Sequence, residues 1–344
     1  MSFVLTDQRK PFHIFRLNRA EALNALNLDM IRALSHALEI SYQDENCLGF
    51  IMGGEGRAFC AGGDIKAAYK LGMDHRKGAS QINFAHMFFE EEYHLNKALF
   101  DYPKLSIAVM DGVTMGGGVG LAGPCRVRIA TENTLWAMPE TKIGFFPDVG
   151  GVYYLARASY PVGAYLALTG TALSHPQDLL DTGLATHYVP AGNISTLMSS
   201  LQSAASESEA VEMLNAIRRT GEGEGELTKL RALLERCFRF ERLSDIVTAL
   251  EKDKDPQAKV ILAEMRERSP FSMAVALKNL QLAREGTFEE VIARDGRLAN
   301  KMIERPDYYE GVRALLIDKD KNPRWQPDHI DKLVDADVNA LFTL

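Results

Sequence analysis

The organisation of this chain is clearest in the segment Gly56-Arg57-Ala58-Phe59-Cys60-Ala61-Gly62-Gly63-Asp64-Ile65, which follows the short apolar run Gly49-Phe50-Ile51-Met52. The same pattern returns in Asp111-Gly112-Val113-Thr114-Met115-Gly116-Gly117-Gly118-Val119-Gly120, which follows Leu105-Ser106-Ile107-Ala108-Val109-Met110. Each apolar run is typical of a buried strand, and each glycine segment lets a ligand approach the backbone closely. Two N–H groups from different loops could converge on one oxygen as an oxyanion hole. Either loop alone could also be a tight turn that binds nothing.

Strand-like and helix-like pieces alternate over residues 1–190. Phe12–Leu17 and the stretches 126–130 and 134–138 have the composition of strands. Leu28–Ile40 carries apolar residues three and four positions apart, which is typical of an amphipathic helix. Strands that alternate with helices predict a domain built mostly of βα units.

The character of the chain changes after residue 190. Segments rich in Ala, Leu, Glu, Lys and Arg with helical spacing run from Leu197 to Arg284, and Ser269-Pro270 and Arg305-Pro306 are predicted to stop helices. We therefore predict a core domain over residues 1–195 and a helical C-terminal domain over residues 196–344.

Composition narrows the possible partners and surroundings. The chain has 344 residues and a net charge of -7, which argues against nucleic acid as the main partner. No apolar run approaches membrane-spanning length, and the first residues lack a signal-peptide or presequence pattern. The four cysteines have no CxxC spacing, so we expect reduced core thiols and no structural metal. These features predict a cytoplasmic protein that binds no membrane.

Two carboxylates stand eight positions apart in Met138-Pro139-Glu140-Thr141-Lys142-Ile143-Gly144-Phe145-Phe146-Pro147-Asp148-Val149-Gly150-Gly151. Both lie among apolar residues, prolines and glycines, where loss of hydration raises the proton affinity of an acid toward the range useful in acid–base chemistry. The alternative is that Glu140 caps a turn and Asp148 starts one. The run Glu90-Glu91-Glu92 opens an apparent helix through Phe100, a pattern that usually faces solvent.

Other motif matches fail on their context. Gly118-Val119-Gly120-Leu121-Ala122-Gly123 spells a dinucleotide fingerprint, but Pro124 and the strand at Arg126 leave no room for a crossover helix. No G-x-S-x-G elbow of an α/β serine hydrolase is present. Glu91-x-x-His94 has no second copy that would complete a di-iron site.

With these segments the chain resembles the crotonase (enoyl-CoA hydratase/isomerase) superfamily. The resemblance implies an α/β fold, a crotonase-like spiral of ββα units with a helical C-terminal part. The matching segments of the core are Leu17-Asn18-Arg19-Ala20-Glu21-Ala22-Leu23-Asn24-Ala25-Leu26, Ala58–Ile65 and Asp111–Gly118. The likeness extends to the thioester-hydrolysing branch of the superfamily through Met138–Thr141, Phe146–Gly151, Ala167–Gly170, Gly183–His187, Glu310–Asp320 and Pro323–Trp325.

The resemblance assigns roles residue by residue. The N–H groups of Gly63 and Gly117 would hold the thioester oxygen, with Glu140 and Asp148 as the catalytic acids. Hydratases usually carry glycine at the place of Asp148, and their other carboxylate would fall at Gly120. The implied substrate-binding residues are Glu92, Ala61 (beside the adenine of coenzyme A), Gly62, Asp64 and Gly116.

The activity implied is hydrolysis of a short β-hydroxyacyl-CoA thioester, with 3-hydroxyisobutyryl-CoA of valine breakdown as the expected substrate. The alternatives are an enoyl-CoA hydratase or isomerase and a non-catalytic acyl-CoA-binding subunit. Coenzyme A enters as part of the substrate, so no separate cofactor is expected. Members of the superfamily often assemble as trimers or hexamers. The chain departs from the pattern at Gly123-Pro124-Cys125, and residues 197–250 show little similarity.

Overall fold

The computed structural model describes residues 2–78 and 84–343, with only the backbone described at 84 and 85. The chain forms two compact units, each made of three segments. Unit 1 comprises Met1–Gly63, Glu91–Trp136 and Leu173–Glu226, and unit 2 comprises Asp64–Glu90, Ala137–Ala172 and Leu227–Leu344. The predicted linear division after residue 195 stays a prediction, because compactness does not test which segment folds alone.

The elements of the described residues follow in chain order. The strands are β1 (Val4–Asp7), β2 (Phe12–Leu17), β3 (Gly49–Gly54), β4 (Ala58–Cys60), β5 (Leu105–Met110), β6 (Val113–Met115), β7 (Val127–Ala130), β8 (Leu135–Ala137) and β9 (His187–Tyr188). The first helices are α1 (Leu28–Gln43), α2 (Ile65–Arg76), α3 (Phe84–Phe100), α4 (Gly117–Ala122), α5 (Gly151–Ala158), α6 (Tyr160–Thr169), α7 (Pro176–Asp181) and α8 (Ile194–Leu201). The later helices are α9 (Glu207–Ile217), α10 (Glu226–Cys237), α11 (Leu243–Lys252), α12 (Pro256–Arg266), α13 (Pro270–Ala283), α14 (Phe288–Met302), α15 (Pro306–Val312) and α16 (Asp335–Phe342).

Unit 1 is built on a six-stranded sheet in the order β1-β2-β3-β5-β7-β9. β1 pairs antiparallel with β2, and the remaining pairs are parallel. A smaller sheet has the order β4-β6-β8, so from β3 onward the two sheets take alternate strands along the chain. Apolar residues of the larger sheet pack with those of α8 and α9, and the cluster includes Phe12, Ile51, Leu105, Ile107, Ile129, Leu197, Leu201 and Leu214. This α/β arrangement confirms the predicted fold class.

Unit 2 is dominated by helices of the C-terminal part. α13 is buried along most of its length and packs against α5 and α6, while α15 packs against the 3-10 turn Glu140–Ile143. The two X-Pro pairs do more than stop helices. The Ser269 side chain caps α13, and Pro270 is the first residue of that helix. Pro306 is likewise the first residue of α15. A proline is well placed there because the first helical N–H has no acceptor within the helix.

Helix α3 begins earlier than predicted. Because the helix already includes Phe84, the three acids do not open it, and they point in different directions. Glu90 is exposed, Glu91 forms a two-contact ion pair with Arg32 at 2.6 and 2.7 Å, and Glu92 is only 2% exposed. The prediction that these acids face solvent is therefore wrong for Glu92.

The four cysteines are buried and reduced, as predicted. Burial raises the pKa of Cys60 and Cys125 to about 12, so both thiols remain protonated at neutral pH. Among the residues that the structure describes, no helix is both long and apolar enough to span a bilayer.

Asn24 stabilises the start of the first glycine loop from a fully buried position with φ +56°. Its Nδ2 donates to the carbonyls of Glu55 and Ala58 at 3.0 and 2.8 Å, and its Oδ1 accepts the Arg19 N–H at 2.8 Å. Asn24→Ala is expected to lower the free energy of unfolding by about 3 kcal/mol, because three backbone groups, one buried and two partly buried, lose a partner. Urea denaturation measures this. Asn18→Ala, which removes one exposed hydrogen bond, is the control and should cost less than about 1 kcal/mol.

Candidate active site

The first group of candidate residues lies in unit 1, where the two glycine loops meet. Leu26 N–H donates to the Gly62 carbonyl at 2.8 Å and ties the first loop to the segment before α1. A Cβ added at Gly62 would lie 3.3 Å from the Met115 carbonyl oxygen and 3.7 Å from the Gly117 nitrogen. The backbone around Gly62 and Gly63 is therefore packed directly against the backbone that starts α4.

Gly117 is the first residue of α4, and an N–H at that position has no acceptor inside the helix. A Cβ added at Gly117 would lie 3.3 Å from the Gly63 nitrogen and 2.4 Å from Glu92 Oε1. Glycine at 117 thus leaves open the small space on which the Gly63 nitrogen and the Glu92 carboxylate converge. The structure brings Gly63, Gly117 and Glu92 together around this space, and their role in an oxyanion hole stays a prediction.

Glu92 owes its position to the buried face of α3. One turn later on the same face, Asn96 Nδ2 donates to the Gly120 carbonyl at 3.0 Å, which fixes α3 against α4. Burial is the main cause of the raised pKa of Cys60, and the nearby negative charge of Glu92 adds to it. The residues alone did not indicate Glu92. The spacing of Glu92 and Asn96 on one helix face was the signal that could have done so.

The predicted substrate-binding residues divide into two sets. Ala61, Gly62 and Gly116 belong to the paired loops of unit 1, and the Ala61 N–H donates to the Leu23 carbonyl at 3.0 Å. Asp64 belongs to unit 2, where its side chain caps α2 by accepting the Ala67 N–H at 3.1 Å. The substrate contacts of all four residues stay predictions.

The second group of candidate residues is the acid pair of unit 2. Glu140 is 7% exposed and begins a 3-10 turn, and Asp148 is 5% exposed. Their carbonyls accept the N–H groups of Phe145 at 3.0 Å and Gly151 at 2.6 Å, so both residues also take part in turns. The turn interpretation therefore describes their backbones, while the burial of their carboxyl groups agrees with acid–base chemistry.

The turn after Asp148 is strained. Val149 has φ +52° although it is β-branched, and Gly150 follows with φ +74°. A β-branched residue in this region is a genuine outlier, with a cost on the order of 1–3 kcal/mol that the surroundings must offset. Asp148 therefore lies directly before a strained turn that its neighbours hold in place.

The helix α15, which overlaps the start of the segment Glu310–Asp320, packs on the loop between Glu140 and Asp148. A Cβ added at Gly144 would lie 2.2 Å from the Asp307 carbonyl oxygen, and one added at Gly311 would lie 2.6 Å from the Ile143 carbonyl oxygen. Such close approach of two backbones requires glycine at both places. The C-terminal motif that carried part of the resemblance is thus packed on the loop that bears the acids.

The end of this motif is organised by a single guanidinium. Arg313 contacts both carboxylate oxygens of Glu310 at 2.8 and 2.9 Å, and it also binds Asp318 at 2.8 Å and Asp320 at 2.6 Å. A bidentate contact within a network holds its partners more firmly than an isolated surface ion pair does. We infer a structural role for these charges.

The two groups are assigned to different units. Gly63, Gly117 and Glu92 belong to unit 1, and Glu140 and Asp148 belong to unit 2. Within the described ranges, no group of three or more His, Cys, Asp or Glu side chains is arranged to hold a metal ion.

Comparison with known proteins identifies the class. The model of the enoyl-CoA hydratase/isomerase family matches residues 12–342, so the chain belongs to that family. Curated relatives named "3-hydroxyisobutyryl-CoA hydrolase, mitochondrial" include those of Mus musculus (37% identical) and Homo sapiens (36%), each over 98% of this chain and 88% of the relative. The relative from Dictyostelium discoideum has the same name and is 37% identical over 95% of this chain and 87% of its own length.

Two solved structures are also close. A carnitinyl-CoA dehydratase from Mycobacterium thermoresistibile superposes with a TM-score of 0.91 at 31% identity, covering 100% of this chain and 97% of the other. An enoyl-CoA hydratase from Rhodobacter sphaeroides superposes with a TM-score of 0.90 at 33% identity, covering 99% and 97%.

These findings confirm the predicted family and its predicted hydrolase branch. They contradict the predicted localisation. The cytoplasmic prediction is wrong, since these curated relatives are all named as mitochondrial. Charge and reduced cysteines describe the folded chain and are compatible with both compartments, so they could not distinguish them.

Proposed function

We propose that this chain hydrolyses 3-hydroxyisobutyryl-CoA to 3-hydroxyisobutyrate and CoA, a step of valine breakdown. The observation that carries the proposal is Asp148, a buried acid on a strained turn in the same loop as Glu140. The resemblance implies glycine at this place in hydratases. The names of the curated relatives support the same substrate.

The chemistry requires stabilisation of an oxyanion. Attack on the thioester carbonyl places negative charge on its oxygen, and the N–H groups of Gly63 and Gly117 would receive that charge. Water supplies the new C–O bond, the C–S bond breaks, and the CoA thiolate takes up a proton. Loss of one such donor typically costs roughly 10²–10³-fold in rate.

The acids supply the remaining steps. Glu140 would act as the nucleophile or as the base that activates water, and Asp148 would orient water or substrate and help protonate the departing thiolate. A single turnover in ¹⁸O water separates the two roles of Glu140. Label in the Glu140 carboxyl group indicates a covalent intermediate. Where the label is found only in the released acid, reduction of Glu140 by borohydride during turnover distinguishes an anhydride opened at the substrate carbonyl from direct attack by water.

The rival activity is hydration or isomerisation of an enoyl-CoA, which the names of the two solved structures favour. That reaction needs proton transfer at the α and β carbons. By the resemblance the second hydratase carboxylate would fall at Gly120, which has no side chain. The pair of acids therefore suits attack on the carbonyl better.

Release of free thiol distinguishes the two activities. The purified chain is expected to release CoA thiol from 3-hydroxyisobutyryl-CoA, as measured with a thiol reagent. Crotonyl-CoA is the parallel substrate. Loss of its enoyl absorbance without thiol release would support the hydratase, and no thiol from several β-hydroxyacyl-CoAs would contradict the hydrolase.

The remaining parts of the proposal concern partners. Because two N–H donors and two acids suffice for thioester hydrolysis, the proposed reaction uses no cofactor beyond the CoA of the substrate. A non-catalytic acyl-CoA-binding subunit would leave two buried carboxylates idle, which is energetically costly. Assembly as a trimer or hexamer is proposed from the resemblance, and light scattering across a dilution series tests it.

A further inference from the structure

A buried carboxylate of α14 holds the turn that follows Asp148. Asp295 is 0% exposed, and its Oδ2 accepts the Gly150 N–H at 2.9 Å. Its Oδ1 accepts Nδ2 of Asn279 at 2.9 Å, and Asn279 Oδ1 in turn accepts Nε of Arg294 at 2.6 Å. Asp295 is thus the end of a chain of directed hydrogen bonds from α13 and α14 to one peptide N–H.

The placement of this hydrogen bond is unusual. The Gly150 N–H belongs to the peptide that links it to Val149, the residue with the strained φ of +52°. On its other side, a Cβ added at Gly150 would lie 2.4 Å from the Phe288 ring, so α14 lies directly against the turn. A strained peptide persists only where the surrounding structure holds it in place. Here the hydrogen bond to Asp295 fixes the orientation of the peptide, and the Phe288 ring limits its movement.

Burial destabilises the charged form of the Asp295 carboxyl group. Burial raises the pKa of Asp295 to about 7, and the negative charge of Asp148 adds to the rise, while Arg294 and the hydrogen bonds from Asn279 and Gly150 oppose it. An apolar residue could fill the same space without this cost. Burial of the Asp295 carboxylate destabilises its charged form, yet this carboxylate binds the backbone two residues after Asp148. This placement indicates that the reaction requires the hydrogen bond.

We propose that Asp295 is a positioning residue, which sets the direction of the Asp148 side chain by holding the Gly150 peptide. The inference rests on the proposed function, in which Asp148 acts on water, on substrate or on the departing thiolate. Asp295 does not itself touch the reacting atoms.

Two single variants test the role. Asp295→Ala removes the acceptor, and Asp295→Asn keeps the shape but offers an amide whose single oxygen cannot serve both donors. For hydrolysis of 3-hydroxyisobutyryl-CoA, we expect kcat to fall roughly 10²-fold and KM to change less than about threefold, because a displaced acid impairs the reaction more than substrate binding.

The chain also offers a rescue. In the double variant Asp295→Asn with Asn279→Asp, the new amide oxygen can accept the Gly150 N–H while its NH₂ donates to the new carboxylate. That carboxylate still accepts Nε of Arg294, so every hydrogen bond and the net charge are retained. The exchange is expected to restore kcat to within about fivefold of the unmodified chain. If Asp295 only stabilised the fold, kcat would not be expected to recover when the hydrogen bond to the Gly150 N–H is restored.

Asp178→Asn is the matched control, since Asp178 is a buried acid of unit 1 that accepts a backbone N–H, that of Glu226, at 2.9 Å. It should leave kcat unchanged even where it lowers Tm. If the unmodified chain hydrolyses the thioester but Asp295→Asn keeps its kcat, or the exchange fails to restore it, the positioning role is overturned while the proposed function stands. If the unmodified chain releases no thiol, both fail together. If Asp295→Ala does not fold, Asp295→Asn and the exchange give the answer.

Discussion

Gly117→Ala is expected to lower kcat/KM for thioester hydrolysis by roughly 10²–10³-fold, the loss typical of one oxyanion donor. The added Cβ would lie 2.4 Å from Glu92 Oε1, 3.2 Å from Leu26 Cδ1 and 3.3 Å from the Gly63 nitrogen. Glu92 is buried, so its carboxylate cannot move aside into water. Either the acid or the start of α4 must shift, and the substrate oxygen would no longer lie on both donors. Rate and substrate binding should therefore weaken together.

Gly53→Ala is the matched control for this change. Gly53 lies at the end of β3 in the same unit, and a Cβ added there meets no atom within 4 Å. It should keep kcat/KM close to that of the unmodified chain. Steady-state kinetics with 3-hydroxyisobutyryl-CoA and calorimetric binding of CoA measure both quantities. Full activity in Gly117→Ala would remove this glycine from the oxyanion hole.

Asp148→Gly, which introduces the residue expected in a hydratase, should lower kcat for thioester cleavage by roughly 10³-fold, within the range for loss of a general acid or base. CoA binding should remain, because the change removes a carboxylate and adds no bulk. A glycine also accepts the strained turn more readily than a bulkier residue would, so the fold is expected to survive.

Asp148→Asn separates charge from shape and should lose activity to a similar extent. Single-turnover thiol release is the measurement, with retention on immobilised CoA as the check on binding. Hydrolysis at full rate in Asp148→Gly would overturn the role of Asp148. The substrate would then be supported only by the names of the relatives and by the C-terminal motif.

Local patterns predicted much of the fold. The limits of β2 and β5 agree with the predicted runs, since most residues of both strands are apolar and buried. Prolines and glycines around Glu140 and Asp148 correctly indicated buried acids. Glu92 was indicated only by the resemblance, although its four-residue spacing from Asn96, whose side chain binds the Gly120 carbonyl, places both residues on one face of α3.

Long-range features could not be read from the sequence. Nothing in the run Asp148-Val149-Gly150 indicates a valine with positive φ, because valine is among the residues that most avoid it. The hydrogen bond from Gly150 to Asp295 joins residues 145 positions apart. The alternation of unit 1 and unit 2 segments along the chain is another feature that no local pattern marks.

The distance along the chain between Gly150 and Asp295 has a consequence for synthesis on the ribosome. At roughly 5–20 residues per second, the 145 residues between them take roughly 7–30 s to translate. During that interval the nascent chain already carries both acids, but the acceptor that holds the strained turn has not been made. Any polypeptide that terminates before α14 would contain Glu140 and Asp148 without the means to orient Asp148. Catalytic competence is therefore acquired only after the ribosome has translated α14, in the last sixth of the chain, and a premature stop codon before α14 would be as damaging as the loss of an acid.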